Sequence, residues 1–381
     1  MKIVIAPDSF KGSLSAQEVC RIVGEAAAQA LPEAKLVQLP VSDGGEGMVD
    51  SLLGVMDGER HRLEVTGPCF DRVVAEYGVL KDGTAVLEMA SASGLPLVPE
   101  NQRNPLETTT LGTGELMMDA FLRGCRRFIL GLGGSATTDG GIGAAAALGM
   151  IFLDKDGKAV PLSGKGLEAI VQVDTSQVDP AWSEAQIVFA CDVDNPLCGK
   201  RGSAAVYGPQ KGADAAMVKR LDAGLANLEG CIRQKTGQAY ADISGIGAAG
   251  GFALPFVAFL GAQLNSGLDI VLDELKFDEA IAGADLIITG EGKTDEQSAM
   301  GKVLSGVARR ARAQGIPVAA ISGALEPGYE ALYALGMTAA FSTWQAGKDL
   351  DWQMAHAAEN LGRTARDILR LAAAFGGGGR R

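Results

Sequence analysis

One unit of sequence, used twice near the start of the chain, constrains the fold more than anything else in it: an apolar run, a polar loop, then an amphipathic segment. Ile3-Val4-Ile5-Ala6 ends at Pro7-Asp8-Ser9-Phe10-Lys11-Gly12. A run that is apolar at every position is the mark of a strand buried on both faces. In the segment that follows, Ser15 and Glu18 have capping-box spacing, and Val19, Ile22, Val23, Ala26 and Ala30 share one helical face. Lys35 to Pro40 repeats the strand, Ser42-Asp43-Gly44-Gly45-Glu46-Gly47 repeats the loop, and a second helix starts near Met48. A βαβα order predicts a parallel sheet that binds ligands at the C-terminal ends of its strands. The same order returns late in the chain. Leu286 to Thr289 ends at Gly290-Glu291-Gly292-Lys293-Thr294-Asp295, and a helix from Ser298 carries Val303, Leu304, Val307 and Ala311. Strands at Val318–Ile321 and Thr338–Ser342 follow, and a last helix has Met354, Ala358, Leu361, Ala365, Ile368, Ala372 and Phe375 on one stripe.

Between these ends the pattern changes. Arg62 to Ala90 reads as strands separated by Gly-Pro and Asp-Gly turns, an antiparallel excursion. A helix over Gly112–Leu122 feeds the strand Phe128-Ile129-Leu130 and the loop GLGGSATTDGGIG, Gly131 to Gly143. Gln186–Ala190 is a further strand, and Asp214 can cap a helix whose apolar positions are Val218, Leu221, Leu225, Leu228 and Ile232. A chain of 381 residues is large for one core. The expected fold class is therefore α/β. A doubly wound parallel-sheet domain, Rossmann- or flavodoxin-like, is formed from both chain ends (1–78 and 283–375), a second α/β domain (79–282) is inserted, and 376–381 is a disordered tail.

A net charge of −12 argues against a nucleic-acid surface, so an anionic substrate needs a local basic pocket. The six cysteines form no CxxC pair and there are two histidines, which speaks against zinc and for reduced thiols in the cytoplasm. Met1-Lys2 runs straight into a strand, so no signal peptide is expected. The apolar tract Ala248–Leu264 contains Pro255 and Gly261 and reads as a buried segment, not a membrane span.

Five strand-end loops carry the same residue types: glycines, an acid, and often a lysine or hydroxyl. They supply Asp8/Ser9/Lys11, Asp43/Glu46, Ser135/Thr137/Asp139, Asp192/Asn195 and Glu291/Lys293/Asp295. Phosphoryl transfer fits this set, because it needs amides and cations for phosphates, carboxylates for Mg²⁺, and one carboxylate for the attacking hydroxyl's proton. Gly292-Lys293-Thr294 is not a P-loop, since Ile287 occupies the required glycine position. No GxGxxG opens the first βα turn, which weakens a dinucleotide dehydrogenase.

At these residues the chain resembles the bacterial glycerate kinases of the type-1 family. The likeness is carried from end to end by APDSFKGSLSA, SDGGEG, EMASASGL, RNP, LGTGEL, GLGGSATTDGGIG, CDVDNPLCG, GPQKGA, GAAGG and TGEGKTDEQS, in that order. It implies a two-domain α/β cytoplasmic enzyme that phosphorylates D-glycerate with ATP and Mg²⁺, most simply at the 2-hydroxyl, in a cleft between domains. The 3-hydroxyl, and a non-catalytic nucleotide- or hydroxy-acid-binding protein of the same fold, are the alternatives. D-glycerate and ATP are the expected partners, no nucleic acid or membrane is expected, and a homodimer is the candidate assembly.

Residue roles follow from side-chain chemistry. Asp192 is expected as the base, with Asp295 and Asp43 as alternatives for base or Mg²⁺ ligand. Lys11 is expected to neutralise a phosphate or the glycerate carboxylate, and Arg103 to grip that carboxylate. Lys211 and Lys293 are candidate triphosphate contacts. Asp139 either binds metal or caps the helix after its loop. Asp8, Ser9, Gly44, Glu46, Asn104, Gly134, Ser135, Thr137, Asn195, Gln210 and Glu291 complete the expected binding set.

Overall fold

A computed structural model describes residues 1–42, 47–299 and 302–376 of the chain. Asp43, Gly44 and Glu46 of the expected site, and residues 377–381 of the expected tail, lie outside the described residues. The chain divides into two units: Met1–Asp43, Asp50–Met56 and Leu268–Arg381 form the first, and Gly44–Val49 with Asp57–Gly267 the second.

The first unit opens with β1 (Lys2–Ile5) and β2 (Lys35–Gln38), joined by the helix Ala16–Ala30. That helix starts as its sequence requires. Ser15 Oγ accepts from Glu18 N at 3.2 Å, and Glu18 Oε2 accepts from Ser15 N at 2.8 Å. The chain then builds the second unit from β3 (Gly58–Thr66), β4 (Arg72–Leu80), β5 (Thr84–Glu88), β6 (Arg127–Gly131), β7 (Ile151–Leu153), β8 (Gln172–Asp174), β9 (Gln186–Ala190) and β10 (Gln263–Asn265). It returns to the first unit with β11 (Leu286–Thr294), β12 (Val318–Leu325) and β13 (Ala339–Ser342).

The first unit's sheet runs β2-β1-β11-β12-β13, with every pairing parallel. Counted within the unit this is the flavodoxin-like order. Side chains alternate across a strand. Ile3, Ile5, Ile288 and Ile321 accordingly join one core with Val19, Val23, Leu361 and Leu369, from the helices Ala16–Ala30 and Ala357–Gly376. Val4, Ile287 and Ala320 point the other way and are equally buried, so both faces of the sheet are covered.

The second unit's sheet runs β3-β4-β5-β6-β9-β10, antiparallel from β3 to β5 and parallel from β5 to β10. The tract from Ala248 is buried as far as Phe256 and partly exposed beyond it, with Phe252 and Phe256 packed against Phe189 on β9. Residues 57–78, expected with the chain ends, lie instead in the second unit, because β3 pairs with β4 and β4 with β5. Residues 268–282 shift the opposite way, since Leu268 and Leu272 pack against Gly306 of the helix Val303–Ala313. The hairpin of β7 and β8 was too short to show in the periodicity.

Candidate functional site

In the first unit the strand order reverses between β1 and β11, the place where a doubly wound sheet opens a crevice at its strand ends. A cavity of about 610 Å³ lies there. Asp8, Ser9 and Lys11 line it from the loop after β1, and Glu291, Lys293 and Asp295 from the end of β11. These six expected site residues are thus brought together. Asp8 N donates to Gly290 O at 2.8 Å, which fixes the β1 loop against β11.

The segment Gly290–Thr294 was expected as a loop. It is strand, paired with β12 as far as Thr294 and Leu325. A Cβ on Gly290 would sit 2.0 Å from Ile321 O. This glycine is therefore required by the close approach of β12, whatever ligand the site takes.

Charge in the cavity is mixed. Lys11 is exposed. Lys293 lies 3.3 Å from Glu326 Oε2 and 3.6 Å from Asp295 Oδ2, and its hydrogen bond to Glu326 raises its pKa. Asp295 Oδ1 also accepts from Gln297 N at 2.9 Å. Glu291 is buried and accepts from Thr294 Oγ1 at 3.0 Å. Burial raises its pKa, opposed by the hydroxyls of Ser298 and Thr294 and the charge of Lys302. Lys302, which the sequence reading missed, also lines the cavity, at the start of the helix Val303–Ala313. Its sequence signal is a basic residue directly before a helical stripe.

No group of three or more His, Cys, Asp or Glu side chains is placed to hold a metal among the described residues. Mg²⁺ that travels with a nucleotide needs only one or two carboxylates, the rest of its shell being phosphate oxygen and water. Asp8 and Asp295 offer hard oxygen ligands of that kind, so the residues present fit the ion.

The second unit uses its expected residues differently. Asp139, a candidate metal ligand, is fully buried. Its carboxylate accepts from Thr110 N and Oγ1 at 2.9 and 2.8 Å, from Gly141 N at 3.1 Å and from Gly143 N at 3.4 Å. It therefore ties the start of the helix Ile142–Ala147 to that of Leu111–Leu122. Burial raises its pKa against the pull of these donors. This corrects the metal assignment: the carboxylate is saturated and out of reach of solvent. Gly141 has φ +73°, and a Cβ there would sit 2.1 Å from Phe252 O, so this part of the glycine loop is shaped by packing.

Lys211, expected at the triphosphate, is 2% exposed. Its Nζ donates to Ser135 Oγ at 2.8 Å and to Thr137 O at 2.5 Å. Burial takes its pKa down to about 7, while the charge of Asp139 pulls the other way. Lys211 and Ser135 are thus engaged with each other, and the lysine ties the turn Gly208–Gly212 to the Gly131–Gly143 loop. Thr137 Oγ1 is buried without a partner among the described residues. Asn195 is likewise committed: Nδ2 donates to Arg201 O at 2.8 Å, and Oδ1 accepts from Tyr207 OH at 2.6 Å. Asn104 Oδ1 accepts from Leu106 N at 3.1 Å and holds a turn.

Four expected second-unit residues remain accessible. Asp192 is exposed beyond β9 and accepts from Gly267 N at 3.0 Å. Arg103 is half-buried, and its Nε is buried without a hydrogen-bond partner among the described residues. Gln210 is exposed on its turn, as is Gly134, whose carbonyl accepts from Leu95 N at 2.8 Å. Glu88, at the end of β5, was missed although it lies in a motif already singled out. It accepts from Gly47 N at 3.2 Å and Val49 N at 2.8 Å.

Comparison with known proteins gives one consistent result. The model of the glycerate kinase family matches residues 3–373. The chain is 47% identical over 372 residues to a glycerate kinase of Bacillus cereus, covering 97% of this chain and 98% of that one. It is 42% identical over 369 residues to the glycerate 2-kinase of Escherichia coli, covering 97% of each. A crystal structure of a Salmonella typhimurium LT2 protein, provisionally named glycerate kinase 2, superposes with a TM-score of 0.90 at 44% identity, over 98% of this chain and 99% of that one. The likeness extends to the α/β fold.

Proposed function

The chain belongs to the glycerate kinase family and is a kinase acting on an alcohol group; from that premise we propose that it transfers the γ-phosphoryl group of ATP to the 2-hydroxyl of D-glycerate. The observation that carries the reading is the cavity at the switch point, where Lys11, Lys293 and Lys302 meet Asp8, Glu291 and Asp295. A triphosphate needs cations along its length, and its accompanying ion needs carboxylates. In a protein of net charge −12, three ammonium groups lining one cavity, interleaved with carboxylates, are the cations that phosphate groups need there.

The reaction breaks the bond from the γ-phosphorus to the bridging oxygen, with ADP as leaving group, and forms a bond to the glycerate oxygen. Mg²⁺ supplies charge neutralisation on the phosphates when bound. Lys11 and Lys293 are assigned to the triphosphate, and Asp8 and Asp295 to the ion. Arg103 is assigned to the glycerate carboxylate, because a half-buried guanidinium whose Nε–H has no partner among the described residues suits a planar anion. Asp192 is assigned to the hydroxyl proton, being an exposed carboxylate oriented by the Gly267 N–H.

Coupled measurement of ADP release with D-glycerate, followed by NMR of the product, tests the proposal. The expected result is glycerate-dependent ADP release and a 2-phosphoglycerate product. A 3-phosphoglycerate product would overturn the position of attack, and absence of glycerate-dependent ADP would overturn the reaction.

A further inference from the structure

Glycerate is small and polar, yet one wall of the first unit's cavity is aromatic and aliphatic. Trp344, Leu350 and Met354 form it, with Phe10 and Ala357 beside them. They remain 43%, 61% and 37% exposed, so these large apolar groups face open space beside charged residues.

The wall is fixed in place. Gln353, itself buried, accepts from Gln345 N at 3.1 Å and donates to Gln345 O at 2.7 Å, which staples the segment after β13 to the helix Leu350–Ala355. Asp349 caps that helix through Trp352 N at 2.9 Å. Met354 Cε lies 2.8 Å from where a Cβ on Gly12 would sit, so the wall abuts the loop that carries Lys11.

Apolar and aromatic surface at one part of a cavity, with ammonium groups at another, matches a nucleoside triphosphate: a flat π-faced base joined to a chain of anions. The volume of about 610 Å³ lies within the usual range for ligand pockets. We infer that the nucleotide base is held against Trp344, Leu350 and Met354, with its polyphosphate toward Lys11, Lys293 and Lys302. The inference rests on the kinase reading above and assigns this cavity to the nucleotide, not to glycerate.

The test is a titration of the full chain with AMP-PNP in the absence of glycerate, followed by tryptophan emission and by calorimetry. Trp182 is fully buried and Trp352 is stacked on His356 at 4.0 Å, which makes Trp344 the reporter. Emission should change on binding, and Trp344→Phe should lose that signal. Loss of a base-stacking ring is expected to weaken binding about tenfold in Trp344→Ala, with KM for ATP rising far more than KM for D-glycerate. Thermal melting of the variant checks its fold. Leu350→Ala, at a more exposed position, should raise KM for ATP about threefold and serves if Trp344→Ala fails to fold. Unchanged KM for ATP in the folded variants, or a rise in KM for glycerate in its place, would overturn the base assignment and leave the kinase reading standing. A wild-type chain that neither binds AMP-PNP nor releases ADP with glycerate would overturn both.

Discussion

Two lysines that directly precede a glycine, Lys11 before Gly12 and Lys211 before Gly212, end in opposite states. Lys11, after β1, is exposed in a cavity. Lys211 is buried, with its ammonium held by Ser135 and Thr137 of the Gly131–Gly143 loop. The acids divide in the same way. Asp295 faces the cavity beside Lys293, whereas Asp139 is enclosed by four donors. Residue type and the lysine–glycine step are shared, so neither separates a ligand contact from a packing tie. Burial separates them.

The contrast can be broken by experiment. Lys11→Ala should show the largest effect, a loss of roughly two to three orders of magnitude in kcat/KM for ATP, since it removes a positioned cation. Its melting temperature should stay near wild type; lost stability with retained turnover would place Lys11 in the same class as Lys211. Asp139→Ala should do the reverse. It strands the amides of Thr110, Gly141 and Gly143 without water, and urea denaturation should show a loss of about 3 kcal/mol or more. Native stability in that variant would mean the enclosure is not structural.

A smaller effect concerns pH. The pKa of Lys211 is about 7 when folded and 10.5 in its ordinary state, so between those values the unfolded chain binds the extra proton. Stability therefore rises with pH across that window, and the penalty for burying the charge is full below it. Measured as wild type minus Lys211→Met, the gain from pH 7 to pH 9 should be roughly 2 kcal/mol. A flat difference would show that this ammonium is not desolvated.

What could be read from the sequence was local. The Ser15–Glu18 cap involves residues three apart, and the βαβα grammar needs only runs and loops. What could not be read depends on distant neighbours. Gly290 looks like a loop residue, but its reason is the carbonyl of Ile321 on β12. Residues 57–78 have strand character either way, and only the pairing of β4 with β5 assigns them to the second unit. A carboxylate beside glycines serves a cap or a metal equally well, so Asp139 stayed ambiguous until its burial was known. Trp344 carries no acid–glycine signature, so nothing in its local sequence marks it as a ligand contact.

The register of β1 against β11 sets a timetable. Ile3 pairs with Leu286, so the first unit's central contact closes only after nearly three-quarters of the chain has been synthesised. Parallel pairing over such a separation is slow to form. The second unit's main segment, 57–267, lies wholly between these partners and can complete its own core first. Until β11 arrives, one edge of β1 is open, with hydrophobic Ile3, Val4 and Ile5 beside unpaired backbone. A chain cut short before Leu286 keeps that edge exposed, a template for pairing with other chains and for aggregation of a translation product whose second unit is already folded.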